Sequence, residues 1–389
     1  NDDGDEDHVL DIQVKPGFLD KWYGDIEAQY QTKKRYSGAI TASRLSDQDP
    51  HMIYAQANNA NRYVDKAIGS TMNRNIDGDG KSQYGSYNYQ HNWQTKGTQQ
   101  YTSNRFNISA NMGHSDGWNS GKASTETFFP NQEHTFGVKD TYRYKHNLKP
   151  QLEAKLFAYT DSANTIDVKV KASYEKARKS YEEKSASYGY QPDQFAYHSL
   201  KEALDAKPGD ALYDRLITRD SEYESTELQQ RGLNISYAWK HFIGKKGSFM
   251  LGGYTNLSGT NEDTHTNRDV EYLREQRNEK LWQFYDRSEH ELVTQFGASF
   301  DYWLGKKVYF NVFDNMRLSR TRIARNFFSD TDEQNVVGGT PTTADPANTT
   351  RRLTHKWTNE LTVKSTITPV KALMIMPKFS WNYCREKTD

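Results

Sequence analysis

A strict two-residue alternation in "ANTIDVKVKASYEKARKSYEE", residues 163–183, constrains this chain more than any other feature. Ile166, Val168, Val170, Ala172 and Tyr174 alternate with Asp167, Lys169, Lys171, Ser173 and Glu175. At 100° per residue those apolar positions scatter around a helix, whereas at 180° they share one face of a strand. The chain must therefore form a ribbon that is apolar on one side and charged on the other.

The pattern recurs along the chain. Trp22, Gly24, Ile26, Ala28 and Tyr30 alternate with polar neighbours, as do Phe106, Ile108, Ala110 and Met112. Further rows are Leu152–Ala158, Leu233–Trp239, Phe249–Leu257, Leu292–Tyr302, Val308–Val312, Trp357–Ile367 and Leu373–Tyr383. About 13 strands are expected, many of roughly 10 to 15 residues, against about five or six residues for an ordinary soluble strand.

Composition must be reconciled with this pattern. Only 34% of the 389 residues are hydrophobic and the mean hydropathy is −1.00, yet 13% are aromatic, with 26 tyrosines. Disordered chains are poor in aromatics, so the polarity belongs to an ordered architecture with much wet surface. Lys+Arg and Asp+Glu balance at 51 each, so no global field draws the chain to nucleic acid. A single cysteine, Cys384, excludes an internal disulfide framework. No apolar run reaches the roughly 18 to 20 residues of a transmembrane helix. The acidic start "NDDGDED" reads as a solvated linker, and the ends of the sequence read as those of a fragment.

Short turns are expected at 46–50, 95–100, 160–164, 244–247, 304–307 and 368–371. Long polar loops are expected at 61–83, 114–133, 181–226, 261–288 and 321–352. Short and long connections alternate, which a soluble sandwich or propeller has no reason to do. A transmembrane β-barrel does so, with short periplasmic turns and longer extracellular loops. In a bilayer every backbone N–H and C=O must be paired, so a spanning sheet has to close. The Ile166, Val168, Val170 and Ala172 row is accordingly expected to face lipid, and Asp167, Lys169, Lys171 and Ser173 a wet lumen.

Several segments also resemble the Bacteroidota outer-membrane β-barrel family of TonB-dependent-receptor-like proteins. "VLDIQVKPGFLDKWYGDIEAQYQTKKRYSGAI" (9–40) is similar to that family's exit from plug to first strands, and "QANNANR" (56–62) to its Asn-rich motif. "STETFFP" (124–130), "TDSANTIDV" (160–168), "FIGKKGSF" (242–249) and "YWLGKKVYF" (302–310) resemble further family segments in the same order. The glycine-rich run after the Asn motif is thinned to "DGDGKSQYGS" (77–86). The resemblance implies a partial barrel, about 13 strands of a probable ~22, with residues 1–20 a plug-to-barrel linker and 21–389 the N-terminal part of the barrel. It implies a carboxypeptidase-like regulatory domain and a plug upstream, the plug coupling to the TonB system. Outer-membrane lipid, a nutrient ligand (glycan, peptide or chelate) and a surface lipoprotein are the implied partners.

Catalytic chemistry finds no foothold in the sequence. Asn75, Asp77, Asp79 and Gly80 superficially match a calcium loop, but the twelfth position is Ser86 rather than Glu, so a plain loop is expected. The 11 histidines show no HExxH or similar spacing, and no metal site, cofactor or catalytic residue is expected. Ser199 and Glu202 form a capping box within 181–226, where two short helices are expected, as a self-packed insertion ahead of the alternative of a ligand-gating lid. Residues 272–287 fit an amphipathic helix or an extended flank. Their Trp282, Phe284, Tyr285 and Arg287 suit a membrane-interface girdle or a stacking site for a sugar or peptide. The sequons at Asn107, Asn234, Asn256 and Asn348 carry little weight in a bacterial outer-membrane setting. The expected function is non-enzymatic: a TonB-dependent receptor-like transporter in the outer membrane. The alternatives are a non-transporting adhesin or scaffold barrel, or a secreted glycan-binding β-protein.

Overall fold

The computed structural model describes residues 20–32, 34–59, 62–67, 70–75, 79–94, 104–129, 134–191, 195–305, 307–370 and 373–389. The first strands are β1 (Lys21–Gln31), β2 (Arg35–Leu45) and β3 (His51–Asn58), followed by a separate hairpin of β4 (Arg62–Ala67) and β5 (Ser70–Asn75). The main sheet continues through β6 (Asp79–Trp93), β7 (Asn104–Phe128), β8 (His134–Tyr159) and β9 (Asn164–Tyr190). It goes on through β10 (Leu216–Ile243), β11 (Gly247–Tyr272), β12 (Arg277–Leu304) and β13 (Val308–Asp330). After a small hairpin of β14 (Val336–Val337) and β15 (Thr340–Pro341) come β16 (Thr350–Val370), β17 (Leu373–Ile375) and β18 (Lys378–Thr388). One 14-stranded antiparallel sheet results, a meander in the order β1-β2-β3-β6 and onward to β13-β16, with β17 and β18 both paired to β16. The all-β architecture is as expected. Among the described residues β1 and β18 do not pair with each other, so the sheet stands open. The expected linker 1–20, apart from Asp20, and the expected turn 95–100 lie outside the described residues.

The register gathers the apolar rows onto one face. Val170 lies opposite Ala154 on one side and Ile235 on the other; the row continues through Ile108 and Tyr89, and through Thr255, Thr294, Leu318 and Trp357. Period-two alternation then carries the alternating apolar rows of these strands to the same side. On β9 this stretch, Ile166 to Tyr174, is about 26 Å long at roughly 3.3 Å per residue.

Strand stagger gives the tilt. From Trp22 near the start of β1, the opposed positions run through Arg44, His51, Tyr89, Ile108, Ala154, Val170, Ile235, Thr255, Thr294 and Leu318 to Trp357. Trp357 stands ten residues above Ile367, the lowest apolar position of β16 paired to β13. Ten residues of stagger over eleven steps of about 4.8 Å correspond to a tilt of roughly 30°. The apolar band is then about 23 Å tall.

Burial is inverted relative to a soluble sheet. On the apolar face Leu257 and Phe296 are 43% and 42% exposed in mid-sheet, while Ser248 and Ser299 on the opposite face are 7% and 8% exposed. No second layer covers the band among the described residues.

The strands run much further than expected, and this corrects the loop assignment. Most of 114–133 and 261–288, and about half of 181–226 and 321–352, is strand: β7 runs to Phe128, β9 to Tyr190, β11 to Tyr272 and β13 to Asp330. Just above the band both faces are mostly polar, which hydropathy reads as loop. Cross-strand charges hold the ladder there instead: Arg178 faces Glu227 at 3.6 Å, Arg287 faces Glu262 at 3.6 Å and Lys356 faces Glu386 at 3.3 Å. Of the two readings of residues 272–287 the extended flank holds: Tyr272 ends β11, Leu273–Gln276 is a turn and Arg277 starts β12.

The capping box at 199–202 is present and begins α1 (Leu200–Asp205), followed by a 3-10 turn at Tyr213–Arg215. Ser199 accepts from the Glu202 amide at 3.3 Å, and Glu202 accepts from the Ser199 amide at 2.7 Å. Leu200, Ala203 and Ala206 pack on Phe136, Val138, Ala186, Tyr188 and Leu216 of the strand tips. Arg219 donates to the Ala203 carbonyl at 3.0 Å, tying the helix end to β10. The insertion is packed onto the strand tips, with a 3-10 turn where a second helix is expected.

Candidate functional site

The polar face carries the most concentrated chemistry. On β8 and β9 it presents Lys155, Glu153, Gln151 and Lys149 beside Lys169, Lys171, Ser173 and Glu175, each pair set by direct or diagonal register. Glu153 bridges Lys155 at 2.8 Å and Lys169 at 3.2 Å, and Lys149 meets Glu175 at 2.9 Å. Lower down, Asp301 accepts from Tyr309 at 2.6 Å and from Asn311 at 2.7 Å. A groove of about 690 Å³ lies across six successive strands from β6 to β11, lined by Tyr84, Asn111, Lys149, Glu175, Gln230 and Asn256 among others. Its donors and acceptors of both signs suit a hydrated polar solute rather than an apolar one. Asn107, Asn147 and Asn315 each hold a buried amide oxygen without a hydrogen-bond partner among the described residues, a demand that a water-filled space meets.

The expected site residues separate. Trp282 and Phe284 project to the apolar-band side of β12, but eight or more residues above Leu292; at about 3.3 Å per residue that is some 26 Å beyond the band, too far for an interfacial girdle. There Phe284 packs with His265 and Phe328, at ring separations of 4.5 and 5.9 Å. Tyr285 and Arg287 alternate to the opposite face, so the four do not form one stacking site. Of the calcium-loop match, Asp77 lies outside the described residues. Asp79 and Gly80 begin strand β6, and Asp79 receives a hydrogen bond from Arg35 at 3.2 Å. An extended strand cannot wrap an ion as a calcium loop does. The sequon residues Asn107, Asn234 and Asn256 lie within strands, and the Asn348 amide donates to Asp345 at 2.7 Å.

Two resembling motifs prove structural. Asn58 donates to Ser82 at 2.8 Å, and Asn59 closes the β1–β2 end by donating to the Lys34 carbonyl at 3.0 Å and accepting from the Tyr36 amide at 2.6 Å. In the 160–164 turn, Asp161 accepts from the Ala163 amide at 2.7 Å and from Asn164. These bonds, the backbone one foremost, hold the Asp161 carboxyl below the usual carboxylate range.

One cluster was invisible to sequence spacing. His114, Asp116 and His146 converge because β7 and β8 place Asp116 opposite His146, with His114 two residues along the same face.

No protein-family model matches the chain, and no curated protein sequence matches it. The Bacteroidota resemblance therefore rests on its motifs alone. Among solved structures the chain is similar to the copper transporter OprC, at 8% identity and a TM-score of 0.18, over 96% of this chain and 73% of that one. A likeness so distant carries no argument about family or cargo.

Proposed function

We propose that this sheet is wall from an outer-membrane β-barrel that admits or binds a polar solute along its charged face. One observation carries the reading: an exposed apolar band about 23 Å tall runs across the sheet, backed by a wet, ion-paired face. Its height is close to the ~25 Å apolar band of membrane barrels, and the roughly 30° tilt approaches theirs. Contiguous apolar surface of this extent is foreign to monomeric soluble proteins, which argues against the secreted glycan binder. Transport coupled to TonB through a plug, a nutrient cargo and a surface lipoprotein partner are the finer form of this proposal, supported by the motif resemblance. No bond chemistry enters it.

The test uses Val170→Cys and Lys171→Cys in a Cys384→Ser background, with the chain in lipid vesicles. A water-soluble maleimide should modify the Lys171→Cys chain and spare the Val170→Cys chain, which a lipid-soluble reagent should reach. Equal labelling of both from water, or release of the chain by a high-salt wash without detergent, defeats the membrane reading. Nutrient uptake compared in cells with and without the gene separates transport from an adhesin or scaffold.

A further inference from the structure

We propose that His114, Asp116 and His146 form a binding site for a divalent transition-metal ion at the surface of the β7–β8 ladder. The cluster is set by one strand pair and stands whether or not the sheet lies in a membrane.

The backbone sets the cluster. His114 and Asp116 are alternate residues of β7 and so share a face. Asp116 is directly opposite His146 on β8, and His114 is opposite Leu148, one pair away. His146 Nδ1 lies 2.8 Å from Asp116 Oδ1, and His114 Nε2 lies 3.5 Å from Asp116 Oδ2. The two imidazole centroids are 5.0 Å apart, edge to face, and the three ligand atoms lie within 4.8 Å of one another. An ion bound at about 2.0 to 2.2 Å from each ligand in tetrahedral geometry requires ligand separations of roughly 3.3 to 3.6 Å. The measured separations, from 2.8 Å to at most 4.8 Å, bracket that value, so movements of about 0.5 to 1.2 Å bring the three atoms to it.

The donor set selects the ion. Two imidazoles and one carboxylate suit zinc, nickel, cobalt or copper, whereas calcium and magnesium require a fuller oxygen shell. Tyr144 donates to Asp116 Oδ1 at 3.0 Å, orienting the carboxylate as outer-shell partners of metal sites do. All three side chains are partly exposed, between 23% and 29%, so an ion has access and at least one position remains for water or an incoming ligand. Lys81 on β6 is opposite Asp116 in the register.

The experiment is equilibrium dialysis of the full chain in detergent, stripped with chelator, against Zn²⁺. Wild type should take up one equivalent in excess of the His114→Ala/Asp116→Asn/His146→Ala triple variant. His114→Ala and His146→Ala alone should each weaken that binding at least about 10-fold. His290→Ala, on another strand of the same face, should leave it unchanged. Wild-type binding indistinguishable from the triple variant overturns the site, as does equal affinity for Mg²⁺. Circular dichroism of each variant is compared with wild type; where an alanine variant loses strand signal, the His146→Gln variant replaces it and must show the same loss of Zn²⁺.

Discussion

At the scale of single residues, side chains decide more about ends than about middles. Ser199 closes α1, and replacing it with alanine should cost about 1 kcal/mol of local stability. The measurement is faster amide exchange at Ala203 and Ala206 with the rest of the sheet unchanged. Its partner Glu202 has its carboxyl held below its ordinary 4.5, chiefly by the Ser199 amide and then by the Ser199 hydroxyl. A depressed carboxylate stabilises the folded form above its unfolded value and loses that contribution as pH falls through the folded one. Protection of Ala203 should therefore persist near neutrality and decline only as pH falls below the ordinary 4.5 of Glu202, after correction for intrinsic exchange; a decline centred near neutrality contradicts the assignment. The capping box was legible from Ser199 and Glu202 because it is local. The His114–Asp116–His146 cluster was not, because its partners are brought together by strand register.

At the scale of elements, the polar strand extensions are the part sequence reading missed. Period and apolarity together signal a strand in the band; above it the apolar half of the signal disappears while the ladder persists. Residues 176–184 of β9 keep their pairing through Arg178 and its neighbours, although nothing in their hydropathy separates them from a loop. Each exposed pair should contribute little: Glu227→Ala should change unfolding free energy by less than about 1 kcal/mol. Close backbone approach is less forgiving. A Cβ on Gly253 would sit 2.1 Å from the Gln295 carbonyl oxygen, where β11 and β12 meet in the band. Gly253→Val should force these strands apart and cost roughly 1 to 3 kcal/mol, read as a lower unfolding midpoint in detergent. An unchanged midpoint would mean the strands are not held at this spacing.

At the scale of the whole molecule, burial is inverted. Small polar side chains such as Ser248 and Ser299 are covered, and large apolar ones such as Leu257 and Phe296 are not. Water penalises that arrangement and hydrocarbon favours it. Val170→Arg should therefore destabilise the membrane-inserted chain by about 2 to 4 kcal/mol, while Lys171→Arg one position along should be nearly neutral. Reversible unfolding in lipid vesicles measures both, and equal effects would remove the distinction between the two faces.

The sequence by itself determined the period, and with it the strand class, the two chemically opposed faces and the positions of Ile166, Val168 and Val170 on one of them, because side-chain direction in a strand follows from backbone geometry alone. Only the tertiary structure decided how far each strand runs, which faces of neighbouring strands align, and which polar residues meet across them. Those outcomes depend on hydrogen-bond register between segments distant in sequence, and register leaves no mark in the composition of either strand.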